Sequence, residues 1–542
     1  MGALLACGLP VVGGCAEAST EPRRGGTIVI GAGSDLDHAN PLVSVDAWTS
    51  EVLRFALFTP LVRYGPDLEY VPALAESWEL AGDTGVTFHL RRDVRWHDGT
   101  PTTADDVLFT FERARDPATG FPNADYFSRW TGGVAVDSYT VRFTFEPHAE
   151  PLAGWPFTPI VPRHLLDTVP AAAMRQAAFN RHPVGNGPFR FVSQRSNDRW
   201  VLEANADHPE GLGGPPLVDR FIWRVIPENS AQLAELRAGE ADLILQPRPE
   251  QVREHDGRNG IRTVVKPSRA FDFIVWNGKR PGLDDPRVRR ALAMALDRAQ
   301  IVEAFRRGYG QIPTGPIMPF HWSYDPAVRP LPYAPDSAAA LLARAGIEDR
   351  NGDGRLEFED GDPFRIELKL VAGNEYSRDL AEVVRADLEA VGVVVETRPM
   401  EATTLFAEVT SPDRDFDAAL LAWDGDFRLD LRDTFHSRAL GGPYQFASYE
   451  NAEADSLMDR ATAEADRAVA APMWRRVQEI LNEQQPWTLL AYRTDAFLAR
   501  ERLSGVEMDI RGAFVNLPDW WVTRDAPADS VAVSGGGRID GK

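Results

Sequence analysis

Between Val86 and Arg115 the spacing of apolar residues changes from every second position to every third or fourth. Val86, Phe88 and Leu90 alternate with Thr87, His89 and Arg91, the period of a strand with one buried face. His97-Asp98-Gly99 interrupts the pattern as a turn, with Gly99 suited to positive φ. Thr103 stands three residues before Asp106, the spacing of a capping box. Val107, Leu108, Phe111 and Ala114 then share one helical face. The stretch therefore predicts strand, turn and capped amphipathic helix.

The same rules place further elements. Gly26–Ile30, Tyr139–Phe145 and Phe271–Asn277 read as strands. Asp285-Pro286 opens a helix with its stripe at Val288, Leu292, Ala295, Ala299 and Val302. Pro335 to Gly346 is another helix. Residues 365–396 read strand, helix, strand, a βαβ unit with a parallel pair. Gly31-Ala32-Gly33 follows a strand, but the third glycine is missing and Pro41 breaks any following helix. A dinucleotide site is therefore rejected.

The length of 542 residues suggests two to four core units. A net charge of −22 argues against nucleic acid as a partner. The two cysteines, Cys7 and Cys15, both lie at the N-terminus, so the body has no disulfide, Cys nucleophile or Cys metal site. Residues 3–14 are apolar but shorter than the roughly 20 residues a membrane span needs.

Taken as a string, VTFHLRRDVRWHDGTPTTADDVLF resembles the signature of the bacterial extracellular solute-binding proteins of family 5, with Trp96 the main departure. Ile160–Leu166 (IVPRHLL), Pro183–Phe189 (PVGNGPF), Gly239-Glu240-Ala241-Asp242 and DPRVRRALAMALDRAQIV continue the resemblance, which covers about residues 25–523. It implies an α/β fold of the type II (Class C) periplasmic-binding kind, with two α/β lobes joined by a hinge, a small inserted lobe and a ligand cleft between the lobes. The expected divisions are 1–15 signal peptide, 16–26 tether, 27–56 main lobe, 57–182 small lobe, 183–270 main lobe, 271–488 second lobe, 489–523 main lobe and 524–542 disordered tail. Val12-Gly13-Gly14-Cys15 resembles a lipobox, which implies lipidation of Cys15 and an extracytoplasmic, membrane-anchored protein. An ordinary secretory signal is the alternative.

The expected function is delivery of short peptides, or a related small solute, to the permease of an ABC importer by a monomeric binder. No enzymatic activity, cofactor or metal is expected. A nickel-chelate or haem solute is the alternative. A carboxylate-dependent secreted hydrolase is a remote one, since no GxSxG, HExxH or P-loop occurs.

The candidate ligand site is Leu420-Leu421-Ala422-Trp423-Asp424-Gly425-Asp426, an apolar strand ending in an indole and an acidic turn. In peptide-binding members an Asp three residues after such a Trp pairs with the peptide ammonium. The resemblance assigns that role to Asp426, because a buried ammonium needs a carboxylate partner. Asp424 joins it. Trp423 would supply apolar wall or a cation–π face, and Gly425 would let the backbone approach the ligand. Asn277, at the end of its strand near the hinge, is a further candidate. Asp349–Asp360 spaces its acids as an EF-hand loop does, but a strand follows instead of a helix, so a solvated turn is favoured over bound calcium.

Overall fold

The computed structural model describes residues 22–523 apart from 149, 307–308 and 465. The expected signal peptide with Cys15, most of the tether and the tail 524–542 lie outside the described residues. Among the described residues no helix is long and apolar enough to cross a membrane.

One ten-stranded mixed sheet runs through the molecule. From edge to edge its strands are 394–400, 365–371, 418–424, 261–276, 487–500, 243–244, 27–32, 220–225, 199–204 and 189–195. Two long antiparallel strands, Ile261–Trp276 and Trp487–Arg500, belong to both halves. Residues 261–267 pair with 494–500 beside the strand Leu243–Ile244, and 271–275 pair with 487–492 beside Ala418–Asp424. Between them the register shifts, so Ser268, Arg269 and Ala270 have no ladder partner on the 487–500 strand, a bulge where such a ribbon bends. The expected strand at 271–277 is thus the second half of a longer one.

The FDFIVW run is apolar without alternation because both its faces are covered. Phe271, Phe273 and Val275 join a core with Trp474 and Val477. Ile274 and Trp276 join a core on the other side with Leu292, Leu380 and Val384. The pair 365–371 and 394–400 is parallel across the helix Glu375–Glu389. The helix expected from Asp285 to Val302 is two, Pro286–Ala295 and Arg298–Arg306. The break falls at Asp297, whose side chain accepts from the Gln300 amide at 2.9 Å, a second N-cap inside one apolar stripe.

A four-stranded antiparallel sheet (75–80, 85–90, 140–145, 130–137) carries the helix Ala104–Arg115. The Thr103 amide donates to Asp106 Oδ2 at 2.8 Å, and Asp106 Oδ1 accepts from the Arg163 amide at 2.9 Å. The capping acid thereby also fixes the IVPRHLL segment. Phe88, Phe111, Phe143 and Trp155 lie in one hydrophobic core with Ile28, Ile30 and Trp223 of the large sheet. The small sheet therefore shares its core with the larger body.

His97 closes this region. Its backbone amide donates to Gly185 O at 2.8 Å, Nδ1 accepts from the Gly185 amide at 3.2 Å, and Nε2 lies 3.0 Å from Gly187 O. This set needs a neutral ring with its proton on Nε2. Burial pushes the His97 pKa down to about 4, and burial does the same for His208. Between pH ~6.5 and ~4 the unfolded chain then binds more protons than the folded one, so stability falls as the pH is lowered through that window. Thermal melts from pH 7 to pH 4.5 should show a midpoint falling by several degrees, and His97→Gln should flatten part of that slope. An unchanged slope would remove His97 from the account.

Candidate functional site

A cavity of about 710 Å3 opens where the two halves of the large sheet meet. Its wall takes residues from the 41–54 segment, from Tyr126 and Phe157 of the small-sheet region, from the crossing strands at Lys266–Arg269 and Thr494–Phe497, and from the turn at Asp424 and Phe427.

The acidic turn is built by the sheet. In the 418–424 strand Trp423 pairs with Phe271 and Asp424 with Ala270, so the chain leaves the ladder opposite the bulge. The Gly425 amide donates to Arg269 O at 2.9 Å, and Arg269 Nη1 donates to Gly425 O at 2.9 Å. A Cβ on Gly425 would meet Met318 Sδ at 3.1 Å and Arg269 O at 3.4 Å. The close approach that a glycine serves here is thus to the protein's own chain, not to a ligand as expected.

Asp424 is exposed and lines the cavity. Asp426 is half-buried, one bond behind the wall: Tyr126, which does line the cavity, donates its hydroxyl to Asp426 Oδ1 at 2.6 Å. The Arg428 amide donates to the same oxygen at 3.1 Å. Burial, reinforced by the Asp426 charge, raises the Tyr126 pKa far above that of a free phenol, so the hydroxyl remains a donor.

Two expected residues lie elsewhere. Trp423 is not in the cavity wall; its indole packs edge-on against Tyr444, Phe446 and Trp487 at 5.7–5.9 Å. Strand alternation turns it to the same core as Phe271. Asn277 is fully buried at the far end of its strand, with Nδ2 donating to Arg414 O at 2.8 Å and Phe416 O at 2.7 Å. Its amide is spent on the backbone of the second half, away from the cavity. The acidic loop also looks inward. Asp349, Asp353 and Glu357 gather there, but Glu357 accepts from the Arg350 amide and Asn351 Nδ2, and Asp349 from the amides of Gly352 and Gly354.

Several wall residues have no counterpart among the expected ones: Glu51, Arg54, Tyr126, Phe157, Lys266, Arg269 and Phe427. Arg54 sits in a π-helical turn, Leu53–Leu57, the kind of irregularity that gathers at functional sites. Its only trace in the sequence is the charge of Arg54 inside the apolar run VLRFALF, directly after Glu51. Phe427 is buried against Tyr64 and Phe157, with ring centroids 5.3 and 5.5 Å away. With Tyr126–Asp426 and the 2.6 Å Arg467–Glu150 ion pair, it ties the second half to the small-sheet region.

Comparison with known proteins adds the following. The family model described as bacterial extracellular solute-binding proteins, family 5 (middle), matches residues 69–438. The oligopeptide-binding protein AppA of Bacillus subtilis is 30% identical over 514 residues, covering 94% of each chain. Its solved structure in complex with a nonapeptide has a TM-score of 0.71, covering 93% of this chain and 100% of that one. Heme-binding protein A of Haemophilus influenzae is 30% identical over 84% of each chain.

Proposed function

Because the chain belongs to the bacterial extracellular solute-binding proteins of family 5, we propose that it binds short peptides in the cavity between its two halves and presents them to the permease of an ABC importer. The peptide leaves unaltered, and the protein works outside the cytoplasm as a monomer tethered through a lipidated Cys15. The observation that carries this reading is the placement of the acidic turn. A cavity of about 710 Å3 is within the range of small-molecule sites, and it opens beside the bulge at residues 268–270 of the shared strands, where Asp424 lines the wall and Tyr126 reaches across to Asp426. The likeness to the peptide-binding AppA supports peptide over the haem and nickel-chelate alternatives, and no histidine lines the cavity among the described residues.

Asp426 is proposed to hold the peptide ammonium. Both of its hydrogen bonds fall on Oδ1, which leaves Oδ2 as acceptor, while Tyr126 keeps the carboxylate turned toward the wall. A charge-assisted bond of this kind is worth about 1.5–3 kcal/mol. Asp426→Ala should therefore weaken binding of an alanine-rich tetrapeptide by about tenfold or more in titration calorimetry. N-acetylation of the peptide should cost a similar factor in the native protein and little in the variant. Unchanged affinity would remove the assignment.

A further inference from the structure

The cavity wall carries five cationic side chains, Arg54, Lys266, Arg269, Arg306 and Arg511, against three acids, Glu51, Asp424 and Asp495. This is the reverse of the chain as a whole, whose net charge is −22. Three of the cations are matched. Lys266 pairs with Asp495 at 3.0 Å, Arg306 with Asp272, and Arg511 with Asp509 at 2.5 Å. Arg54 and Arg269 have no carboxylate within ion-pair distance among the described residues.

These two guanidinium groups line the same cavity, and each is held in place by its surroundings. Arg54 Nη2 donates to Arg511 O at 2.7 Å and its guanidinium lies 5.0 Å over the Phe157 ring. Arg269 Nη1 donates to Gly425 O and its guanidinium lies 5.1 Å over the Phe427 ring. The two rings are stacked on each other, 5.5 Å apart and 22° from parallel. Each arginine is thus anchored by one carbonyl and by ring faces, Arg54 also lying 4.4 Å over Phe55, with most of its five donors unspent; Arg54 Nε is buried without a partner among the described residues. Burial pushes the Arg54 pKa down to about 10, and the charge of Arg269 adds to the fall. The Glu51 charge opposes this fall more strongly than Arg269 adds to it, while burial outweighs both; Glu51 Oε2 itself accepts from the amides of Ala513 and Phe514 at 2.6 and 3.3 Å.

We propose that Arg54 and Arg269 form a carboxylate site inside the cavity, which makes the protein selective for peptides with an acidic group close to the N-terminus. The inference rests on the peptide reading above. A carboxylate between two guanidinium forks gains bidentate, charge-assisted bonds and relieves the repulsion between like charges. Arg269 is bonded to the turn that bears Asp426, so the carboxylate site lies beside the ammonium pole and not at the far end of a long ligand. The acceptor is an acidic side chain at the second residue.

The test uses Ala-Glu-Ala-Ala, Ala-Gln-Ala-Ala and Ala-Ala, each with a free and an amidated C-terminus, titrated calorimetrically into the whole protein. The Glu tetrapeptide should bind about tenfold or more tighter than the Gln one, with or without amidation. That preference should shrink to less than about threefold in Arg269→Gln and in Arg54→Gln. If amidation weakens Ala-Ala alone and the Glu and Gln peptides bind alike, the site takes a terminal carboxylate, and the side-chain selectivity is overturned. Peptide binding with no dependence on either carboxylate overturns the site but leaves the peptide reading standing. Binding of none of the six overturns both. The comparison of peptides on the native protein holds even where Arg54→Gln fails to fold.

Discussion

Asp272→Asn should lower the free energy of unfolding by about 3 kcal/mol, seen as an earlier midpoint in urea. Asp272 is 2% exposed on the 261–276 strand, immediately past the bulge. It ion-pairs with Arg306 and Arg493 and accepts the Tyr376 hydroxyl at 2.7 Å. Burial alone would push this carboxyl up, but the hydrogen bond of Arg493, the charges of Arg306 and Arg493, and Tyr376 together hold it below the usual carboxylate value. Asparagine keeps the shape and removes the charge, so two guanidinium groups lose their counter-ion where water reaches them only in part. Because the folded value is depressed, this stabilisation is present above the unfolded carboxyl pKa and is lost as the pH falls through the folded one. The difference between native protein and variant should therefore be full near pH 7 and shrink below about pH 4. Tyr376→Phe, which leaves the ion pairs intact, should cost only about 1 kcal/mol. Equal stability of Asp272→Asn and the native protein would sink the argument.

Gly185→Ala should be about as damaging, by a different route. A Cβ there would come within 2.8 Å of the Leu57 carbonyl carbon and 3.0 Å of His97 Cε1. The obstacle is backbone, which cannot rotate away. Overpacking of this kind costs about 1–3 kcal/mol or more, and low soluble yield is the expected first sign. The amides of Asn186 and Gly187 both donate to Leu57 O, at 3.1 and 2.9 Å, and Asn186 Oδ1 accepts from the Thr59 amide at 2.8 Å. The loop therefore clamps the end of the π-helical turn that holds Arg54. Gly33→Ala, where a Cβ would find only Gln232 Nε2 at 3.5 Å, is the control. Equal melting temperatures for the two variants would show that the loop tolerates the methyl group.

Local chemistry was legible where one residue decides it. The Thr103–Asp106 cap, the turn at Gly99 and the parallel pair around 375–389 follow from spacing alone. The family and its fold class followed from strings that serve the scaffold: His97 and Gly185, both inside such strings, lock one to the other. What the sequence hid depends on which way a side chain faces once several elements meet. Trp423 and Asp426 are three residues apart, yet the first turns into a core and the second meets Tyr126 of the cavity wall. Asn277 is expected at the cleft from the resemblance of its strand end to the family's; the strand begins at Ile261 and the cavity opens at its middle, so Asn277 stands at the end away from it. Arg54 and Arg269 are more than 200 positions apart in the chain, and nothing local marks them as partners.

Phe427 has one more consequence. Any outward swing of its turn must pull an aromatic ring out of a nest of rings and wet it. Wetting apolar surface raises the heat capacity, so the gaping form must have the larger heat capacity of the two. Any equilibrium between such forms would therefore bend with temperature instead of following a straight van't Hoff line, even with no solute present.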